Sequence, residues 1–554
     1  MDSLEEKKEK RTMKTNHILI ALVLLVALAL VGCSAENAPV PAVPEGAQAG
    51  DLVGLQPCTY KAGETEYAAD CGTLVVPENR SDPDSRLIAL PLIRVRARSE
   101  SPVEPIFYLQ GGPGGSNQHF QYLDGLVDDH DLIQVGYRGV DGSVLLDCPE
   151  IAEAVRKAPD VLGDAALDSY GDASARCAQR LQAEGVDLAR YTMTEVIDDM
   201  EAARVALGYE RINLLGESYG TRLEMIYEWM YPESLQRVIM VAVNPPGHFI
   251  WEPEAIDAQL EDYAELCARD AACSTRTDDL MASLRHVSEN MPERWLIFPI
   301  DADGVKMFSF FMLMESIQPP GMPVPLSGPA MIDMWLAAEK GDASGMALVS
   351  LTRNMFLPDM FVYGDLLVKG GSGGDFARHA ADYRVALNPP GSILGSGLSL
   401  YHSALGAGWP IHLIPEEYLP MQSTAVQTLL VSGSIDFSTP PQFATEELLP
   451  YLNNGEQVTL KDFAHTETFW NRQAEARTHL LTTFYSTGEV DDSLYTYEAV
   501  DFDQGPGWPA LAKRFLAIVL ALIVLLVALV WFVARRVRGR RTTAAGPALR
   551  NAYS

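Results

Sequence analysis

The run Asn213-Leu214-Leu215-Gly216-Glu217-Ser218-Tyr219-Gly220-Thr221 governs how the rest of this chain is read. Residues 211–216 predict a strand, an apolar helical pattern follows Gly220, and Gly-x-Ser-x-Gly lies between them. So tight a strand-to-helix turn leaves no room for flanking side chains, which accounts for Gly216 and Gly220, and it lifts the Ser218 oxygen clear of the sheet. A serine hydroxyl is a poor nucleophile near neutral pH, so a serine presented this way calls for a base within hydrogen-bond reach.

Short β-branched or apolar runs at 73–77, 87–96, 105–110, 131–137, 211–216, 237–243, 428–433 and 457–463 predict eight strands. They alternate with helical patterns, the signature of a mostly parallel sheet with helices on both faces. Before the fifth strand, Thr192-x-x-Glu195 has the form of a capping box. Val196, Met200, Ala203 and Leu207 then recur at helical spacing, and Gly208 supplies the stop. About 185 residues without clear strand periodicity separate the sixth strand from the seventh. They read as a large, mainly helical lid over the carboxyl ends of the strands, with a mobile glycine loop at 370–374.

The partners of Ser218 are sought at later strand ends. The seventh strand runs into Ser434-Ile435-Asp436 and the eighth into Asp462-Phe463-Ala464-His465. An acid followed by a histidine, each on a loop after a strand, is the chain order that this serine turn requires. His465 is therefore the expected general base and Asp436 the carboxylate that orients it, with Asp462 an alternative acid. Oxyanion donors are expected from the backbone N–H of Tyr219 and from Gly111 and Gly112. The latter two lie in the loop Gln110-Gly111-Gly112-Pro113-Gly114-Gly115-Ser116, where glycines let the backbone approach a substrate closely.

These features resemble the prolyl-aminopeptidase and tripeptidyl-aminopeptidase branch of the α/β-hydrolase fold, over roughly residues 55–485. The resemblance rests on Cys71-Gly72-Thr73-Leu74-Val75-Val76-Pro77, the Gly-Gly-Pro-Gly-Gly loop, Tyr137-Arg138-Gly139 with Gly142-Ser143 and Cys148, the Ser218 turn, and Asp436 with Thr439-Pro440. It implies hydrolysis of a peptide or peptide-like amide from the substrate's N-terminus beneath a helical cap. Two positions depart from the family. Gly136 and Tyr137 stand where it usually has Asp before the Arg-Gly, and Ala464 stands where Gly precedes the histidine. Glu217, Glu252 and Glu254 are candidates for recognising a free amine. The same machinery serves an esterase acting on small acyl compounds, and an inactive binding lipoprotein is the reading from another class.

Apolar residues make up 47% and charged residues 21% of the 554, as in a globular protein with a substantial core. The net charge of −32 argues against nucleic acid as a partner. Two apolar stretches flank the acidic body. The first, 18–32, follows Lys14 and ends Leu30-Val31-Gly32-Cys33, resembling a lipobox in which Cys33 is acylated; Met13 offers an internal start. A plain signal peptide or an uncleaved anchor remains open for it. The second, 515–534, has twenty uncharged residues followed by Arg535, Arg536, Arg538, Arg540 and Arg541. It is long enough to span a bilayer, and the arginines place that end in the cytoplasm.

The expected order is a signal peptide with lipobox (1–33), a tether (34–54), a hydrolase core in two parts (55–249 and 421–486) around the lid (250–420), a juxtamembrane linker (487–514), a transmembrane helix (515–534) and a basic tail (535–554). Apart from Cys33, six cysteines fit an oxidising compartment. Of their fifteen possible pairings, Cys58–Cys71, Cys148–Cys177 and Cys267–Cys273 each close a short local loop. Neither Cys-x-x-Cys nor His-x-x-x-His spacing occurs, so no metal and no cofactor is expected.

Overall fold

A computed structural model describes residues 41–543 other than residue 323, with side chains as far as Arg536. The expected signal peptide and lipobox with Cys33, the start of the tether and the end of the basic tail lie outside the described residues. Nine strands form one sheet: β1 (Leu52–Ala62), β2 (Thr65–Pro77), β3 (Leu87–Val95), β4 (Val103–Leu109), β5 (His130–Val135), β6 (Ile212–Glu217), β7 (Leu235–Val241), β10 (Thr424–Gly433) and β11 (Leu452–Leu460). Their order is β1-β2-β3-β5-β4-β6-β7-β10-β11. The strands from β5 through β11 pair in parallel, while β1, β2 and β3 are joined antiparallel.

The sheet has one strand more than the sequence reading placed. β1 turns at Gly63, in the left-handed region at φ 57°, and pairs back along β2. Its outer face is largely exposed and Pro57 interrupts it, so β1 shows no clean apolar alternation.

Alternation along the central strands fills both faces. Leu214, Phe107, Ile133, Val238 and Leu430 turn to one face, where they meet Val196 and Met200 of α1 (Met193–Leu207) and Leu223 and Ile226 of α2 (Tyr219–Met230). Leu215, Ile106, Leu132, Ile239 and Val431 turn to the other, against the helix 474–487. Gly208 ends α1 in the left-handed conformation at φ 78°, as expected. The capping box does not form. The Thr192 side chain makes no cap hydrogen bond, and Glu195 is drawn into ion pairs with Arg80 (2.8 Å) and Arg138 (3.4 Å).

The large insertion lies between β7 and β10, and its apolar side chains share one core with those of residues 146–191. It includes a small hairpin of β8 (Arg294–Trp295) and β9 (Phe298–Pro299), then α3 (Ala302–Leu313), α4 (Ser344–Phe356) and α5 (Tyr363–Ser372). The glycines expected to form a mobile loop at 370–374 instead close α5. A Cβ on Gly370 would lie 2.5 Å from the Phe249 ring and one on Gly371 2.6 Å from Ile411, so packing excludes larger residues there, while Gly374 is needed for its left-handed φ of 84°.

Beyond the core come α6 (Thr466–Asn471), α7 (Ala474–Thr487) and α8 (Trp508–Thr543). The segment read as a linker from its composition is packed down before α8 begins. Val500, Phe502, Trp508 and Ala512 are buried. The Trp508 indole N–H donates to Pro325 O at 2.8 Å, and its ring meets Phe308 edge-on. Within α8, residues Trp508–Arg536 are long and apolar enough to cross a membrane, and their most apolar stretch is not buried against the protein. The six described cysteines pair as Cys58–Cys71, Cys148–Cys177 and Cys267–Cys273, the local pairing expected.

Candidate active site

Because β4, β6, β10 and β11 run parallel, the loops after all four emerge at one edge of the sheet, where open α/β sheets place their ligands. Ser218 sits between β6 and α2 at φ 51° and ψ −122°, a strained conformation for a residue with a side chain. Its N–H donates to Val241 O at 2.9 Å, which fixes the turn against β7. A Cβ on Gly220 would lie 2.1 Å from Leu109 O, and one on Gly216 would lie 2.4 Å from the Glu224 carboxylate. The two glycines therefore let α2 and β4 close around the serine.

His465 Nε2 lies 3.0 Å from Ser218 Oγ, and His465 Nδ1 lies 2.7 Å from Asp436 Oδ2. Asp436 also accepts from the N–H groups of Ser438 (2.9 Å) and Thr439 (3.1 Å) at Oδ1, and from Thr439 Oγ1 (2.6 Å) at Oδ2. Burial pushes the Asp436 carboxyl upward, but the His465 imidazole and the Thr439 donors outweigh it and hold the group below the usual carboxylate range. For His465, burial acts downward, and the negative charges of Asp436, Glu315 and Glu217 overcome it, so the imidazole lies above its ordinary value. The loops carrying acid and base are laced together, with Ile435 N–H donating to Phe463 O at 3.0 Å.

On the other side of the serine lies the glycine loop after β4. A Cβ on Gly111 would fall 2.8 Å from Glu217 O and 2.9 Å from Ser218 Cβ, so the loop backbone rests directly on the serine turn. Gly112 adopts φ 71°. The loop is braced from below: Gln110 N–H donates to Asn117 Oδ1 (2.8 Å) and Tyr137 OH to Gln110 O (3.1 Å). Hydroxyl, imidazole, carboxylate and a glycine-rich backbone thus converge at one strand edge.

Residues 104–289 match the α/β hydrolase fold family. The chain has the α/β-hydrolase fold. It is 28% identical over 286 residues to the serine protease Hip1 of Mycobacterium tuberculosis, covering 48% of this chain and 54% of that one. It is also 28% identical over 272 residues to the tripeptidyl aminopeptidase of Streptomyces lividans, covering 44% and 49%. The chain therefore spans about half the length of the relatives it matches. Among solved structures, a serine hydrolase from Cycloclasticus zankles aligns over 79% of this chain and 100% of its own, at 12% identity and a TM-score of 0.36.

The insertion grips all three loops of the site. His465 N–H donates to Met314 O at 2.9 Å. Glu315 accepts from the N–H groups of Glu467 (3.0 Å) and Thr468 (2.7 Å) and from Thr468 Oγ1 (2.7 Å), which holds the start of α6 immediately after His465. Burial raises the Glu315 carboxyl to about 8, against the pull of His465 and these donors. Gln259 Oε1 accepts from Phe437 N–H (3.0 Å), and the Trp251 indole donates to Ser438 O (3.1 Å), steadying the acid loop. Asp365 of α5 accepts from Gly114 N–H at 2.9 Å and pairs with Lys369 at 2.6 Å, both carboxylate and ammonium being fully buried. None of these grips follows from local sequence: each joins an insertion residue to a loop that is distant in the chain.

The remaining candidates separate cleanly. Asp462 lies at φ 59° and accepts from Tyr497 OH at 2.8 Å, so its carboxylate is engaged away from His465. Glu217 is buried against Tyr108 OH (2.6 Å), Gln110 (3.0 Å) and the Trp470 indole, and burial raises its carboxyl despite these donors. Glu252 pairs with Arg378 and His379, and Glu254 is exposed. Asp141 lies beside Gly136, one of the positions that depart from the family pattern. A Cβ on Gly136 would lie 2.7 Å from Asp141 Cβ, and Asp141 Oδ2 accepts from Tyr137 N–H (2.8 Å) and Asn117 N–H (3.0 Å). Among the described residues no group of three or more His, Cys, Asp or Glu side chains is arranged to hold a metal ion.

Proposed function

We propose that this hydrolase is a serine peptidase that releases residues or short peptides from substrate N-termini through an acyl-enzyme on Ser218. The observation that carries this reading is the hydrogen-bonded line Ser218 Oγ, His465 Nε2, His465 Nδ1, Asp436 Oδ2. As Ser218 Oγ attacks the carbonyl carbon, His465 Nε2 takes its proton, and Asp436 stabilises the imidazolium that forms. The carbonyl oxygen becomes an oxyanion facing the N–H of Tyr219 and those of the loop at Gly111 and Gly112. His465 then delivers the proton to the leaving amine, the C–N bond breaks, and water attacks the resulting ester by the same route in reverse. Peptide rather than ester as substrate draws its support from the relatives, a serine protease and a tripeptidyl aminopeptidase.

The apolar helix Trp508–Arg536, with the arginines that follow, supports anchoring in a membrane with the catalytic body outside and the tail in the cytoplasm. Acylation of Cys33 would add a second attachment.

A fluorophosphonate probe tests the nucleophile: labelling of the wild type that disappears in Ser218→Ala is expected, and folded wild type that takes no label would overturn the reading. Free-amine tripeptide and dipeptide anilides should be cleaved faster than N-blocked versions or short acyl esters. The reverse order would make the protein an esterase or endopeptidase instead.

A further inference from the structure

Five exposed apolar side chains of the insertion occur together. Leu296 (62% exposed) and Ile297 (86%) form the tip of the β8–β9 hairpin, and Leu351, Met355 (61%) and Phe356 stand out from α4. The two elements touch, since α4 packs on both strands of the hairpin. Water-facing hairpin tips favour glycine, asparagine or aspartate, above all where φ is positive. Here Leu296 takes that strained position at φ 54°, followed by isoleucine. Trp295 and Phe298, stacked with ring centroids 6.1 Å apart, flank the tip. Exposed leucine and isoleucine between two aromatic residues is the composition of a segment that enters a lipid interface, with rings at headgroup depth.

The position of the patch identifies its occupant. α4 also packs on the start of α8: a Cβ on Gly345 would lie 3.0 Å from Trp508 Cβ, and Ser344 Oγ reaches Pro509 O at 3.4 Å. α4 therefore bridges the exposed hairpin and the first turn of the helix long enough to cross a bilayer. Cations flank the same region, Arg294 on the hairpin and Arg514 on α8, where lipid phosphates would lie, while Lys513 pairs with Asp342. An apolar crevice between α3 and α4, lined by Phe308, Phe311, Val349 and Phe356, adjoins the patch.

We propose that the β8–β9 hairpin and the exposed face of α4 dip into the outer leaflet beside α8, so that the insertion rests on the bilayer as a second, interfacial contact. This rests on the reading of α8 as a membrane-spanning helix. The contact is with lipid and not with a protein partner, because the patch continues from the helix through α4.

The full chain in vesicles of phosphatidylethanolamine and phosphatidylglycerol provides the test, with a nitroxide introduced one site at a time in a Cys33→Ser background. The sites are Ile297→Cys, Met355→Cys, Val524→Cys within α8, and Glu64→Cys in the exposed β1–β2 turn. Accessibility to oxygen relative to a water-soluble nickel chelate should be several-fold higher at 297 and 355 than at 64, and approach the value at 524. Aqueous values at 297 and 355 with a lipid value at 524 would overturn the interfacial contact and leave the spanning helix intact. An aqueous value at 524 would overturn both. Unlabelled protein gives a second measurement: brominated lipid should quench a tryptophan component that is lost in Trp295→Phe, and quenching equal in the two proteins would refute the docking.

Discussion

Replacing Asp436 by Asn tests the site with almost no change of shape. Four hydrogen bonds converge on the carboxylate: two backbone N–H groups at Oδ1, and Thr439 Oγ1 and His465 Nδ1 at Oδ2. The backbone donors of Ser438 and Thr439 cannot turn away, so the amide oxygen must take the Oδ1 place and the NH₂ the Oδ2 place. The Thr439 hydroxyl can reverse and accept. His465 can accept only by losing the proton on Nδ1, which moves its proton to Nε2, the atom that should receive the proton of Ser218. The wrong tautomer is then the stable one. A switch of this kind costs about 10⁴ in rate, or ~5 kcal/mol of transition-state stabilisation. The expected outcome is a fall of that order in kcat/KM on a free-amine peptide anilide, matched by slow fluorophosphonate labelling and an unchanged melting temperature. A folded Asp436→Asn protein within tenfold of wild-type activity would refute the argument that Asp436 sets the tautomer of His465.

The acid limb of kcat/KM should lie above pH 6.5, because Asp436 above all raises His465 against the effect of burial and only the neutral imidazole can accept a proton; activity falls as the pH drops through the raised value of the imidazole, and a limb at or below pH 6.5 would refute this. Gly111→Ala should lower kcat by about 10²–10³, the value of one oxyanion donor, because its methyl would meet Glu217 O at 2.8 Å and push the loop N–H groups off the positions proposed for the oxyanion; Gly112→Ala meets no atom within 4 Å and should cost mainly the strain of its positive φ, read as a lower melting temperature. Opening Cys148–Cys177, which spans 29 residues, should destabilise by ~3.6 kcal/mol, and opening Cys267–Cys273, which spans 6, by only ~2.2 kcal/mol, on the chain-entropy estimate; denaturant midpoints would order the two. Trp508→Ala empties a fully buried site in the insertion and should cost about 3–5 kcal/mol in thermal or denaturant unfolding.

Where the chain writes its structure locally, the sequence was legible. The Ser218 turn, the glycine loop and the ends of β10 and β11 each carry their signal within a few residues, because strand exit and turn chemistry are short-range effects. The three disulfides were legible for the same reason. The strand β1 was not: it gains its stability by pairing with β2 across Gly63, while its own residues alternate poorly. Glu195 looked like a cap because its spacing from Thr192 fits one, and the Arg80–Arg138 charge cluster claimed it instead. Glu315 and Asp365 gave no signal, since a lone carboxylate in an apolar helical segment reads as solvent-facing until the loop that it holds is known.

The attachment of Met314, Glu315, Gln259 and Asp365 to the acid, base and glycine loops has a practical consequence. The cover of this fold is not a cassette. A chimera that grafts another hydrolase's cap between β7 and β10 would remove the props of the machinery underneath along with the old pocket walls. Redesign of selectivity in this scaffold is therefore best done by point changes that spare those four anchoring residues.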